Sequence, residues 1–385
     1  MTVPRRLIIG CIIGTRPEII KMAPVIFELK KCSWAEVFII NTAQHRSLLD
    51  EMLALFELKP DADLDSMTVD QSLGELTGIL CKKLDILVKN NHFDILLGAG
   101  DTTTVFVSSL IAFYYHIPFG HIEAGLRTYN SREPFPEEIN RILTAPLATW
   151  HFAPTLLEKD NLLRENIAAD QIIVTGNPVI DSLYWVINNK PETYAFLQWD
   201  NIIIVTCHRR ENFGTNLKNI CEAIILLAKQ FPDFNFVLPV HPNPHVQDDI
   251  FHLLNKKPGI HLLPPLRYDE FAHLMNRSIL ILTDSGGIQE EAPALRKPVV
   301  VLRNITERPA IISEDLGVLA GTDTDTIVAL VSELLTNKKR YNEMARGISP
   351  YGDGHAAERI VSCLEKEIIN PKKPGSRGQA AGRRG

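Results

Sequence analysis

The chain has 385 residues, of which 45% are hydrophobic and 22% are charged. This composition is that of a globular protein and excludes a collagen, a coiled coil or a largely disordered chain. Its 40 Lys and Arg residues against 46 Asp and Glu residues give a net charge of −6, which excludes a general attraction to nucleic acids or anionic membranes. An anionic ligand must therefore be bound by a local cluster of donors.

The length and the cysteine pattern predict a multidomain intracellular protein. At about 150 residues per domain, two to three domains are expected. The six cysteines are scattered, without a Cys-x-x-Cys pair or the Cys/His spacing of a metal site, so we expect no disulfides and no metal. No apolar run reaches the roughly 18 residues of a membrane span, and residues 1–10 lack the apolar core of a signal peptide. We therefore predict a cytoplasmic location.

Short apolar runs alternate with longer amphipathic stretches along most of the chain. The predicted strands are 7–13, 37–40, 95–97, 118–122, 150–153 and 172–175, followed by 202–207, 234–238, 260–263, 279–282 and 299–302. The predicted helices between them include 19–31, 72–90, 102–115, 217–231 and 268–276. Continuous apolar strands separated by helices predict parallel sheets covered on both faces, and the two series predict two doubly wound α/β domains.

Helix-breaking residues at 188–191 place the domain boundary between about residues 181 and 200. We assign residues 1–185 to an N-terminal Rossmann-like domain, 186–355 to a C-terminal one and 356–370 to a final helix. The basic, glycine-rich segment 371–385 is predicted to be disordered. Because ligands of open α/β sheets bind at the carboxyl ends of the strands, the polar motifs at those ends are the candidate site.

The first motif, residues 14–21, follows the first predicted strand. Arg16 and Lys21 lie near one helix N-terminus, where backbone N–H groups also attract anions. This arrangement suits a phosphate or diphosphate clamp. The alternative is a capped helix with two solvated cations.

Two further motifs place carboxylates at strand ends. Asp101 follows the third predicted strand, and it is either a functional carboxylate or the N-cap of the next helix. Glu123 ends the fourth strand and points into the predicted cleft, unless it forms an ion pair with Arg127.

The segment 135–141 begins a helix with Glu137 and Glu138 side by side. Adjacent helical residues point about 100° apart, so the two cannot both face the cleft. We expect one of them to be functional and the other to be solvated. The alternative is a surface helix that begins with two acidic residues.

The second predicted domain carries two motifs at its strand ends. His208 and Arg209 follow its first strand, where they suit an anionic ligand better than a solvated loop. Ser285, Gly286 and Gly287 open a helix and can offer donors to a diphosphate, and Glu291 lies where it can accept hydrogen bonds from ribose hydroxyls.

These motifs resemble those of the non-hydrolysing UDP-N-acetylglucosamine 2-epimerases. The matching blocks, in order along the chain, are residues 14–26, 42–46, 100–104, 120–128, 135–141, 206–212, 283–293 and 349–360. The resemblance implies the two-domain GT-B arrangement, with residues 186–355 binding UDP and the final helix packing back on the first domain. It implies interconversion of UDP-GlcNAc and UDP-ManNAc without a cofactor, by a homodimer.

The resemblance also implies roles for individual residues. The implied catalytic residues are Asp101, Glu123, Glu137 and His208. The implied substrate-binding residues are Arg16, Lys21, Arg141, Phe271, Ser285, Gly286, Gly287 and Glu291. A second UDP-GlcNAc, which activates bacterial members, would lie near Gln44, His45, Glu137, Arg209 and His241.

The chain departs from the family pattern at several positions. Ser47 and Asp70 stand where Gln and Arg are expected, and Asp70 would place negative charge near a diphosphate, so we expect weak or absent activation. The other departures are Pro178, Pro242, Asn304 and Ala310. Three alternative functions remain: a GT-B glycosyltransferase that uses a UDP-sugar, a hydrolysing 2-epimerase, and a non-catalytic nucleotide-sugar sensor.

Overall fold

The computed structural model describes residues 5–44, 46–68, 70–192, 198–209, 212–240, 244–347 and 349–369. Within these residues the strands form two parallel sheets. The first contains β1 (Leu7–Ile13), β2 (Ala35–Asn41), β3 (Ala62–Asp63), β4 (Ile95–Ala99), β5 (Phe119–Ile122), β6 (Trp150–Ala153) and β7 (Ile172–Val174). The second contains β8 (Ile202–Thr206), β9 (Asn235–Pro239), β10 (Ile260–Leu263), β11 (Leu280–Thr283), β12 (Val299–Val301) and β13 (Gly317–Leu319).

Helices connect the strands and cover both sheets. Those around the first sheet are α1 (Arg16–Lys31), α2 (Arg46–Leu55), α3 (Leu73–Asn90), α4 (Thr103–Tyr114), α5 (Glu137–Thr144), α6 (Leu156–Arg164) and α7 (Pro178–Asn189). The later ones are α8 (Thr215–Gln230), α9 (Pro244–Leu254), α10 (Tyr268–Arg277), α11 (Gly286–Ala294), α12 (Pro309–Ser313), α13 (Thr324–Thr336), α14 (Lys338–Met344) and α15 (Ala356–Ile369). Among the described residues, no helix is both long and apolar enough to span a membrane.

The strand order places a topological switch point in each sheet. The first sheet runs β3-β2-β1-β4-β5-β6-β7 and the second runs β10-β9-β8-β11-β12-β13. The direction of winding therefore reverses between β1 and β4 in the first sheet and between β8 and β11 in the second. Ligands of doubly wound sheets bind in the crevice at such points.

The strands are apolar throughout because both faces of each sheet are buried. In β1, Ile9, Cys11 and Ile13 pack into one apolar cluster, while Ile12 packs into another on the opposite face. The first of these clusters also contains Ile204 and other residues of the second sheet, so one apolar layer continues from one sheet to the other. Helices α1, α7, α10 and α11 contribute to this layer.

Two helices link the halves of the molecule. Helix α7 contacts α1 beside the first sheet, and also α10 and α11 beside the second. Helix α15 returns to pack on α1 and α7. The predicted boundary between residues 185 and 186, which falls within α7, stays a prediction. The predicted tail, residues 371–385, lies outside the described residues.

Candidate functional site

The sequence motifs lie at the switch points of the two sheets. At the first, β1 leads into the turn before Arg16 and β4 leads into Asp101. At the second, β8 leads into His208, and β11 leads into Ser285 at the start of α11. The motifs of each half are therefore brought together by strand order rather than by proximity in the sequence.

Glu123 is buried at the end of β5 and forms an ion pair with Lys21 of α1. Gly100, after β4, lies close to this pair, because a Cβ atom there would lie 3.5 Å from both Glu123 Oε2 and Lys21 Nζ. Burial alone would lower the pKa of Lys21, but the charges of Glu123 and Asp101 outweigh it and raise the pKa. Lys21 is therefore a permanent cation beside two carboxylates.

The alternative prediction, an ion pair between Glu123 and Arg127, is wrong. Arg127 donates instead to both carboxylate oxygens of Glu165, at 2.6 and 2.7 Å. The cationic partner of the Glu123 carboxylate is therefore Lys21, not Arg127.

Asp101 is bound by α5 and does not cap α4. Arg141 donates to Asp101 Oδ2 from Nε at 2.9 Å and from Nη2 at 2.7 Å, and Asn140 donates to the Asp101 carbonyl at 2.9 Å. Burial would raise the pKa of Asp101, but the charges of Arg141 and Lys21 outweigh it and lower the pKa. The N-cap of α4 is Thr102, whose side chain accepts from Val105 N, so the alternative interpretation of Asp101 is wrong.

The two adjacent glutamates of α5 have different environments, but neither is fully solvated. Glu137 is half-buried. Glu138 is completely buried, where it accepts from the backbone N–H groups of Thr128 and Tyr129 at 3.0 and 2.9 Å and pairs with Arg141. The expectation that one of the two is solvated is therefore wrong, and the Glu138 carboxylate instead holds the turn after β5 in place.

In the second half, His208 is oriented by Asp284, which follows β11. Asp284 Oδ2 accepts from the backbone N–H groups of His208 and Arg209 at 2.9 and 2.8 Å, and Oδ1 lies 2.9 Å from His208 Nδ1. Burial would raise the pKa of Asp284, but these hydrogen bonds and the charge of His208 lower it to about 2. The ionised Asp284 therefore fixes the orientation of the His208 imidazole through its Nδ1 atom.

The N-terminus of α11 lies between two arginine side chains. Ser285 is its N-cap residue. A Cβ atom on Gly286 would lie 3.7 Å from Arg308 Cζ and 3.9 Å from Arg209 Nη2. The helix N-terminus and two guanidinium groups thus surround Gly286, which has no side chain to fill the space. This arrangement is suitable for binding a phosphate group.

Glu291 of α11 is buried against α10. It accepts a hydrogen bond of 2.7 Å from the Tyr268 hydroxyl. Burial raises the pKa of Glu291 to about 7, against the opposing effects of that hydrogen bond and of the Arg16 charge. Phe271, one turn after Tyr268, is partly buried in the same layer. The charge of Arg16, in the first half, therefore acts on Glu291 in the second.

The residues expected around an activator are described in part. Gln44 accepts from the Thr104 hydroxyl at 2.9 Å, and Arg209 lies beside Gly286. His45 and His241 lie outside the described residues, as do the Ser47 side chain and Pro242. Asp70 is exposed, with a φ of 54°.

The comparisons with known proteins agree with this architecture. The family model described as UDP-N-acetylglucosamine 2-epimerase matches residues 27–365. The chain belongs to that family.

Its relatives match along almost their whole length. The UDP-N-acetylglucosamine 2-epimerase of Neisseria meningitidis is 47% identical over 366 residues, which cover 92% of this chain and 98% of the relative. That of Bacillus subtilis is 46% identical over 362 residues, covering 94% and 95%. The crystal structure of the N. meningitidis enzyme bound to UDP-GlcNAc superposes with a TM-score of 0.86, at 46% identity, over 94% of this chain and 100% of that one. The predicted GT-B arrangement of two Rossmann-like units is confirmed.

Several polar residues of the candidate site were not predicted from the sequence, and three of them are instructive. Asp284 lies within a predicted motif, directly after a buried strand, and that position was a usable signal. Arg308 follows a polar loop that has no periodic pattern. Asn177 precedes a proline and looks like an ordinary helix cap, so its contacts with carboxylates depend on the three-dimensional arrangement.

Proposed function

We propose that this chain interconverts UDP-GlcNAc and UDP-ManNAc by epimerisation at C2 of the sugar. One observation carries the proposal: carboxylates lie at the switch point of the first sheet, and an anion-binding group of residues lies at the switch point of the second. The first half supplies the carboxylates Asp101 and Glu123, and the second supplies the arginines and helix N-terminus around Gly286. The names of the relatives in Neisseria and Bacillus support the same activity.

The chemistry follows from the low acidity of the hydrogen on C2 of the sugar. The C2 hydrogen of a UDP-hexosamine is not adjacent to a carbonyl in the ring, so its removal alone would leave an unstabilised carbanion. When a base removes that proton as the C1–O bond breaks, the C–H electron pair forms a C1–C2 double bond and the C–O pair leaves with UDP. The product, 2-acetamidoglucal, then receives a proton at C2 from the opposite face, and UDP adds back to C1.

The proposed roles follow this sequence. Asp101, Glu123 and Glu137 exchange the C2 proton on the two faces of the sugar, with Arg141 holding Asp101. His208, Arg16, Lys21 and residues 285–287 stabilise the departing diphosphate. Glu291 binds the ribose, and Phe271 lies beside the uracil. Lys21, which pairs with Glu123, also links the base to the leaving group.

Proton NMR of UDP-GlcNAc incubated with the protein tests the proposal. We expect new C1 and C2 signals of UDP-ManNAc without stoichiometric free UDP. In D2O, the product should carry deuterium at C2. Stoichiometric release of UDP would indicate a hydrolysing 2-epimerase, and a product without deuterium at C2 would contradict the proton exchange.

We propose that activation by a second UDP-GlcNAc is weak or absent in this chain. The support is the exposed carboxylate of Asp70 at a position where the resemblance implies a cation. Rates measured against UDP-ManNAc should follow a hyperbola. A sigmoidal curve that trace UDP-GlcNAc makes hyperbolic would contradict this proposal.

We further propose that the protein is a homodimer. Helices α4 and α5 pack against each other and expose large apolar side chains: Phe113, Tyr114, Ile139, Ile142 and Leu143. Such an apolar patch is typical of a protein interface. Sedimentation equilibrium should give twice the chain mass, and Phe113→Glu should lower the association constant. A monomer at micromolar concentration would contradict the proposal.

A further inference from the structure

Asn177 occupies an unusual position between two buried carboxylates. It is 1% exposed and lies directly before α7. Its Nδ2 atom donates to Glu123 Oε1 at 2.9 Å and to Glu290 Oε2 at 2.9 Å. A primary amide has two N–H donors, so both are used, one on each half of the molecule.

The orientation of this amide is fixed from the other side. Asn177 Oδ1 accepts from the backbone N–H of Val179 at 3.2 Å and so caps α7. A flipped amide would lose that cap and place its oxygen against two carboxylates. The Asn177 backbone N–H also donates to the Tyr351 carbonyl at 2.5 Å.

The backbone next to Asn177 is held closely by the turn that precedes α15. Gly176 has a φ of 86°, and a Cβ atom there would lie 3.2 Å from Gly352 Cα. A larger residue would therefore be strained at this position and would also displace the turn. Asn177 thus has little freedom to move away from the carboxylates.

A cation contacts the outer oxygen of each carboxylate. Lys21 binds Glu123 Oε2, and Arg308 binds Glu290 Oε1. The sequence of groups across the junction is cation, carboxylate, amide, carboxylate, cation. Without the amide, two carboxylates would face each other in a buried space, and their mutual repulsion would separate them or favour the protonation of one.

We infer that Asn177 is a positioning residue that fixes the Glu123 carboxylate for reaction by bridging it to Glu290 across the junction of the two sheets. This inference rests on the proposed epimerase activity. Asn177 acts through Glu123, and displacing a reacting group by about 1 Å costs on the order of 100-fold in rate. Burial and the Glu123 charge raise the pKa of Glu290, while Arg308 opposes them, as expected for adjacent carboxylates.

Two variants separate the bridge from the helix cap. Asn177→Ser keeps a side chain that caps α7 but is too short to reach either carboxylate. Asn177→Asp keeps the shape and the cap but replaces the donors with an acceptor. The control is Asn337→Asp, at an exposed cap of α14 that accepts from Arg340 N at 3.1 Å.

We expect Asn177→Ser to lower kcat by about 10- to 100-fold with KM within about threefold of wild type. In Asn177→Asp, kcat should fall further below the wild-type value at about pH 8 than at about pH 6, because a protonated carboxyl regains one hydrogen-bond donor. The groups that face position 177 are Lys21, Glu123, Glu290, Arg308 and Tyr351, with Asp181 on α7 itself. Wild-type turnover of either variant at every pH would overturn the inference.

A measurement without turnover keeps this test separate from the proposed function. The carboxyl introduced by Asn177→Asp should have a pKa above its unfolded value of about 3.9, so its contribution to stability is lost as pH rises through the folded pKa. The Tm deficit relative to wild type should therefore shrink between about pH 8 and about pH 5.5. A deficit that does not change with pH would overturn the bridge, whereas wild-type protein that leaves UDP-GlcNAc unchanged would refute the proposed function alone. Asn337→Asp should keep both its turnover and its Tm.

Discussion

Glu123 has a left-handed backbone conformation, with a φ of 63°, at the end of a buried strand. This conformation costs a residue with a side chain roughly 1–2 kcal/mol. It is retained where surrounding contacts stabilise it, and here they are Lys21 and Asn177. The strain and the two charged or polar partners together support the role proposed for Glu123.

Glu123→Gln should lower kcat by about 100-fold or more, because a neutral amide cannot accept the C2 proton. UDP should bind with nearly unchanged affinity, since Arg16, Glu291 and the α11 N-terminus are intact. Steady-state rates and calorimetric titration with UDP measure the two effects. Glu28→Gln, at a surface ion pair with Lys31 on α1, is the matched control and should behave as wild type. Unchanged turnover of Glu123→Gln would remove it from the catalytic set.

Glu291 should make UDP binding dependent on pH. Its pKa of about 7 lies above the usual range because it is buried, and ribose hydroxyls donate best to its ionised form. The ratio of wild-type to Glu291→Gln affinity for UDP should therefore fall as pH drops below about 7, by up to about tenfold per pH unit. Taking the ratio cancels the titration of UDP itself. A ratio that is constant between about pH 8 and pH 5.5 would rule out a role for the ionised carboxylate.

Among the elements, the strands and helices with regular apolar patterns were predictable from the sequence. All eleven predicted strands occur, whereas β3 and β13 were missed because they are only two and three residues long and partly exposed. The side chains at the ends of β4 and β5 were also predictable, since strand ends of one sheet share an edge. The contact of Asn177 with Glu123 was not, because Asn177 lies far away in the sequence, directly before α7.

The C-terminal helix is held by a capping interaction from another helix. Asp181 of α7 accepts from the backbone N–H groups of Ala356 and Ala357 at 3.3 and 2.9 Å. Helix N-caps contribute about 0.5–2 kcal/mol. This contact connects α15 to α7 and so joins residues 356–369 to the first half.

Asp181→Ala should lower the free energy of unfolding by about 1 kcal/mol and loosen α15. Hydrogen exchange should accelerate in residues 356–369 and not in the second sheet. The control is Asp323→Ala, which removes the cap of α13, where Asp323 accepts from Thr326 N at 2.9 Å. Its exchange should accelerate in α13 instead. If α15 keeps its protection in Asp181→Ala, the cap does not hold the helix.

For the whole molecule, two buried histidines oppose stability in acid. His121 and His151 lie opposite each other on β5 and β6 and are 1% and 0% exposed. Burial lowers the pKa of His121 to about 4 and that of His151 to about 3. The unfolded chain takes up protons first, so their contribution to stability is lost as pH falls from about 6.5 towards these values.

Replacing His151 should make the protein less sensitive to acid. Relative to wild type, His151→Leu should gain about 1–2 kcal/mol of unfolding free energy between about pH 7.5 and pH 5.5. Urea unfolding at the two pH values measures this difference. His92→Leu, at an exposed position, should show no such gain. An equal response to acid in wild type and His151→Leu would show that His151 titrates normally in the folded state.

The continuity of α7 also limits how such enzymes can exchange halves by recombination. A crossover at residue 185 would join a helix from two parents, and its faces must fit α1 on one side and α10 and α11 on the other. A crossover after Asn189 keeps α7 intact with α1. Even then, α15 must come from the parent that supplies α1, because it packs there. Viable chimeras should therefore carry three chain segments, with the first and last inherited together.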